Sequence, residues 1–163
     1  EKVLAEQKIN NLQKEKFEAD ISYKNRQLSS STLHVINKSR VLSKIKKAFD
    51  EIVNDVEKKD KHKFETIRQL INENTQLDKD WEDFKMHFEE VHPDFFSRIQ
   101  EKFTGLSSTD IKHCAYIKIG LSTKEIARLF NISHRSVQVS RYRMKKKMNL
   151  PEETDMIEYI VGF

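Results

Sequence analysis

Glycine and proline are scarce in this sequence, three and two in 163 residues. A β-sandwich or barrel needs many tight turns, and these two residues supply most of them, so their scarcity argues for an all-α chain. Cysteine is scarcer still. Cys114 stands alone, which excludes an intramolecular disulfide framework and fits a reducing compartment. It lies in an apolar stretch, where a small buried side chain is the expected role. No apolar run is long enough to span a bilayer and no secretory signal opens the sequence, so no membrane contact by these residues is expected. The sequence begins at Glu1 and reads as a piece of a longer protein, whose upstream part could hold a sensor or a membrane anchor.

What the sequence does have is charge, 34% against 37% hydrophobic residues, a balance suited to helices with extensive solvated faces. The net charge of +4 is unevenly spread. Residues 111–150 hold ten Lys or Arg and one acid, Glu125; residues 1–110 nearly balance, with twenty bases and twenty-one acids; residues 151–163 hold four acids and no base. Positive charge concentrated on one small region favours a polyanion, whose phosphates release counterions on binding.

Residues 1–62 read as a coiled-coil, dimerising helix. Ile21, Leu28, Val35, Leu42, Phe49 and Val56 recur every seven residues, with Ile45 and Ile52 as a second apolar position. Ser29, Ser30, Ser31 and Thr32 could loosen this helix. The alternative is one amphipathic helix folded back within a monomer. The segment Glu57-Lys58-Lys59-Asp60-Lys61-His62-Lys63 has no apolar residue and suggests a turn. Residues 63–103 read as a helical connector. Phe64, Ile67, Ile71, Leu77, Trp81, Phe84, Phe88 and Val91 follow at mostly three- and four-residue intervals, as one helix would place them, with Asn74 on the apolar stripe. His92-Pro93-Asp94 interrupts the pattern, and Phe95, Phe96, Ile99 and Phe103 form a further short face.

Residues 104–163 carry the functional pattern. Ser107-Ser108-Thr109-Asp110 and Ser122-Thr123-Lys124-Glu125 both have the capping-box spacing, in which a serine and an acid three residues apart satisfy each other's backbone amides. Gly120 is placed to close the helix between them. Asn131-Ile132-Ser133 makes a short turn, with Ser133 capping a helix over residues 134–148. Two short helices across so tight a turn form a helix-turn-helix. On the last helix, Val137, Met144 and Met148 share a narrow arc for burial. Arg135, Val139, Tyr142 and Lys146 lie almost opposite, flanked by Gln138 and Arg143. Arg can pair with guanine, Gln with adenine, and Val can touch a thymine methyl; Lys145, Lys147 and Arg141 suit phosphates.

Leu121-Ser122-Thr123-Lys124-Glu125-Ile126-Ala127, then Ile132-Ser133 and Ser136-Val137, resembles the LuxR/GerE type of helix-turn-helix domain over about one third of the chain. The resemblance implies a four-helix domain whose final helix, about residues 154–161, packs across the others and contributes to dimer contacts. It places Gln138, Val139 and Tyr142 at base-facing positions. It places Arg135, Ser136, Ser140 and the lysine run that includes Lys145 and Lys146 against the DNA backbone, with Thr123 and Lys124 starting the supporting helix. Ser140 stands where histidine is common, and Asn149 where glycine is usual. Asn tolerates the left-handed conformation, so the second change should keep the fold. Trp81, Phe84, Phe88, Val91-His92-Pro93-Asp94-Phe95 and Cys114-Ala115 are similar to the C-terminal parts of bacterial regulators with large sensors, of the triple-tyrosine/propeller or tetratricopeptide type. Sigma-factor region four is a structural relative of the domain, but the long helix argues for a regulator.

No catalytic residue, metal site or cofactor is expected. Gly-rich phosphate loops, zinc-protease spacing and a nucleophile elbow are all missing. His34 lies on the long helix, where a two-component kinase carries its phosphoacceptor, yet no nucleotide-binding domain follows. The expectation is therefore a cytoplasmic homodimer, or the cytoplasmic part of a membrane-anchored protein, that binds double-stranded DNA and regulates transcription in response to an upstream sensor region. The competing reading is a helical oligomerisation and signal-relay scaffold whose basic end docks RNA or a protein partner.

Overall fold

A computed structural model describes residues 2–54, 64–73 and 77–163. Among these residues every regular element is a helix. They run α1 (Lys2–Asn54), α2 (Glu65–Glu73), α3 (Leu77–Val91), α4 (Phe95–Lys102), α5 (Ser108–Lys118), α6 (Thr123–Phe130), α7 (His134–Lys147) and α8 (Met156–Gly162). The all-α expectation holds, and α5 to α8 are the four helices of the C-terminal domain. Residues 1–30 with 87–163 form one compact unit, and residues 31–86 another.

In the first unit the core is built largely from short helices. Phe88, Phe95 and Phe96 meet with ring centroids 5.0 to 5.6 Å apart, tilted or edge-on, the arrangement aromatic quadrupoles favour. Pro93 and the left-handed Asp94 (φ 60°) turn the chain into α4, as the His92-Pro93-Asp94 interruption suggests. Beyond it, Ile99, Cys114, Ala115, Ile126, Val137, Met144 and Ile160 are fully buried. The thiol of Cys114 is pushed up to about 12 by burial and by the nearby Asp110 carboxylate, which fits packing and not reactivity.

Start and stop signals define α5, α6 and α7, and a start signal defines α8. Ser107 and Ser122 complete true capping boxes with Asp110 and Glu125, and Ser133 accepts from the Ser136 amide at 3.0 Å. Asp155 takes the amides of Ile157 and Glu158 at the head of α8. At the other ends, α5, α6 and α7 all close with the same paired bonds. Leu121 N reaches Tyr116 O and Gly120 N reaches Ile117 O; Asn131 with Ile132, and Asn149 with Leu150, repeat the pattern. The residue at the bend has positive φ each time: Gly120 83°, Asn131 51°, Asn149 52°. Asn149 thus does what a glycine would do at that position.

In the second unit, Val53, Ile71 and Phe84 are buried, Phe49 meets Phe64 edge-on at 5.9 Å, and Trp81 stacks on Phe84 at 5.2 Å. Ser39 Oγ donates to Asp80 Oδ2 (2.9 Å), and Arg68 donates two bonds to Asp50 Oδ1.

The single helix read over residues 64–91 crosses positions 74–76, which lie outside the described residues, with α2 described to Glu73 and α3 from Leu77. The serine cluster does not loosen α1, which is helical throughout residues 29–32. Ser29 Oγ instead bonds back to Asn25 O (2.9 Å) and outward to Ile119 O (2.8 Å). Val56, the turn at residues 57–63 and the register role of Asn74 lie outside the described residues.

Candidate nucleic-acid interface

Helix α7 owes its orientation to its buried arc. Val137 and Met144 are fully buried and Met148 nearly so, which locks the roll of the helix and turns the opposite face outward. On that outward face Arg135, Gln138, Val139, Tyr142 and Lys146 are exposed; Tyr142 is 61% and Val139 42% accessible. The Lys146 ammonium lies 4.6 Å above the Tyr142 ring, so these two side chains stiffen one another.

The flanks of α7 are fastened to different neighbours. On one side Arg141 Nη1 donates to Thr123 Oγ1 (2.9 Å), joining α7 to the first turn of α6, and Lys145 donates to the Glu152 carbonyl. Burial lowers the Arg141 pKa while the Asp155 charge opposes that. Lys124 is exposed beside Thr123. On the other side Ser140 Oγ lies 3.4 Å from His113 Nδ1, and Lys147 Nζ donates to Asp110 Oδ2 at 2.6 Å. Burial pushes the Asp110 carboxyl up, but the bonds from Lys147 and Ser107 outweigh it and hold the group below the usual carboxylate range. Along this flank Arg135, Ser136, Ser140, Arg143 and Lys147, with Asp110 at its side, line an open groove of about 470 Å³.

His113, under α7, is buried at 1% accessibility and packs against the Phe130 ring at 5.6 Å. Burial, helped by the Arg141 charge, lowers its pKa to about 4, so it is neutral at ordinary pH. Nothing in the local sequence singles out this residue or the Lys147–Asp110 pair. Both join residues far apart along the chain, where neither capping nor helical periodicity reports. The residues proposed from sequence on α7 and at the start of α6 do lie together.

The stripe Ile21, Leu28, Val35, Leu42 and Phe49 behaves differently: each of these five is half-buried within the chain. Ile45 and Ile52, read as part of the same seam, are exposed. In the first unit α1 is tied to the C-terminal helices by the Ser29–Ile119 bond, and by His92 Nε2, 2.7 Å from Asn25 Oδ1. Burial, together with the Lys118 charge, lowers the His92 pKa to about 4. Among the described residues no His, Cys, Asp and Glu cluster could hold a metal ion, and no helix is long and apolar enough to cross a membrane.

Residues 104–160 match the family model for bacterial regulatory proteins of the luxR family, also named GerE. These residues are a LuxR-type helix-turn-helix domain. The capped helices, the three-residue turn and the outward face of α7 are its working parts, and the LuxR-type domain occupies about a third of the chain. DNA binding in transcription regulation is the activity of this family. No curated protein and no solved structure matches the chain.

Proposed function

We propose that the chain binds specific sites in double-stranded DNA through α7 and regulates transcription as a homodimer, under the control of a sensor region preceding α1 in the full protein, with DNA binding in the cytoplasm. The observation that carries this reading is the division of α7, with Val137 and Met144 buried beneath and Arg135, Gln138, Val139 and Tyr142 exposed above. Such a face inserted in the major groove reads base edges. Thr123, Lys124, Ser136, Ser140, Arg141, Lys145 and Lys146 hold the phosphates on either side. A two-fold dimer presents two such helices to adjacent half-sites, and α1 is its contact.

The test is fluorescence anisotropy of the chain on duplexes selected from a random library, at two salt concentrations. Gln138→Ala and Tyr142→Ala should relax base preference, each costing roughly 1–3 kcal/mol on the selected site. Lys146→Ala should weaken all duplexes alike and reduce the salt slope. If no duplex is enriched and the variants match the parent chain, the reading fails. Preference for single-stranded RNA over duplex would favour the scaffold reading instead.

A further inference from the structure

Helix α1 carries two apolar stripes about a quarter-turn apart, and only one of them is covered. Leu42 and Phe49 are half-buried and Val53 is buried, all on the face turned toward the rest of residues 31–86. Val41, Ile45, Ala48 and Ile52 succeed one another at steps of four, three and four residues, the alternation that keeps a stripe on one face of a helix. All four are exposed; Ile52 is 61% accessible, Val41 55% and Ile45 47%. One edge of this stripe carries Lys44 and, two turns later, Glu51, both exposed.

We infer that the bare stripe is covered by the same stripe of a second copy of the chain, running antiparallel, with the two-fold axis passing between Lys46 and Lys47. This rests on the homodimer proposed above and names its contact. The charge pattern decides the direction. About such an axis Val41 faces the partner's Ile52 and Ile45 faces the partner's Ala48, so that a small side chain lies opposite a large one at the centre. The edge residue Lys44 then meets the partner's Glu51, and Glu51 meets the partner's Lys44, two opposite-charge pairs generated by one symmetry operation. In a parallel pair Lys44 faces Phe49 across the seam and no opposite charges meet. The stripe is only about 17 Å long. A contact this short is below the size of a standard interface, and the two-fold is reinforced when both recognition helices hold DNA.

The experiment is sedimentation equilibrium of the full chain, with circular dichroism to confirm unchanged helix content. Lys and Glu are both strong helix formers, so exchanging them leaves α1 intact. The parent chain should be a dimer, and Ile45→Glu should make it a monomer. Lys44→Glu and Glu51→Lys should each weaken the dimer about tenfold, because each sets like charges opposite at two places. The double variant Lys44→Glu/Glu51→Lys restores both pairs and should recover the parent affinity. A dimer indifferent to all of these variants overturns the inference while leaving the homodimer standing on another face. Loss with Ile45→Glu but no rescue by the double variant overturns the antiparallel pairing. A monomeric parent chain, with and without its selected duplex, overturns the inference and the homodimer together.

Discussion

The LuxR-type domain and helix α1 are both helical and both basic along much of their length, yet they are stabilised in opposite ways. In the domain, α5, α6 and α7 each begin with a capping serine and end with a left-handed residue, and each buries an apolar face inside the same unit. Helix α1 runs for 53 residues, and positions 2–20 of it are exposed throughout. An isolated helix in water is marginal because its first turn is costly to form, and most helical stability in proteins comes from burying a face. The domain therefore carries its own stability, while α1 depends on what covers it. Substitutions of the same chemical type should have very different consequences in the two regions.

The largest contrast is in apolar truncation. Ile126→Ala empties a fully buried position beneath the turn and should cost about 2–5 kcal/mol. Leu12→Ala removes a side chain that is 56% accessible and should stay within about 0.5 kcal/mol. Urea denaturation of both variants measures this. Equal losses would mean that α1 is packed along its whole length in solution.

Acidification should separate the regions next. His113 titrates at about 4 in the folded chain against 6.5 in the unfolded one, so between those values the unfolded state binds more protons. The stabilisation is complete above about pH 6.5 and is lost as pH falls toward 4, by at most about 3 kcal/mol. His92, lowered to about 4 by burial and Lys118, adds in the same window and direction. His113→Gln should flatten much of that slope, read from urea midpoints at several pH values. An unchanged slope would show that His113 is solvated.

These contrasts also mark what the sequence could report. The caps at Ser107, Ser122 and Ser133 were legible because cap and partner are three residues apart, and so was Asn149, whose tolerance of positive φ is intrinsic to the residue. The exposed face of α7 followed from helical geometry once Val137 and Met144 were taken as its buried arc. The Lys147–Asp110 pair spans 37 positions and is not encoded in local spacing. In α1 the limit was of another kind. Periodicity detected the apolar positions but merged two stripes, Leu42 with Phe49 and Ile45 with Ile52, because a heptad pattern does not say which stripe the same chain will cover.

The mildest comparison uses one substitution with opposite signs. Ser122 accepts the Glu125 amide and returns a bond to the Glu125 carboxylate, whose pKa these Ser122 bonds hold below its ordinary value. Ser122→Ala removes the cap and should cost about 1 kcal/mol. Ser30 lies exposed in the middle of α1, with no helix end to cap, so its hydroxyl is placed only to compete for the backbone. Alanine is the better helix former there, and Ser30→Ala should stabilise α1 by about 0.5 kcal/mol. Thermal melts followed by circular dichroism resolve both signs. A loss at Ser30 would show that its hydroxyl makes a contact which the packing of α1 in one chain does not provide, and a second chain is the nearest source of one.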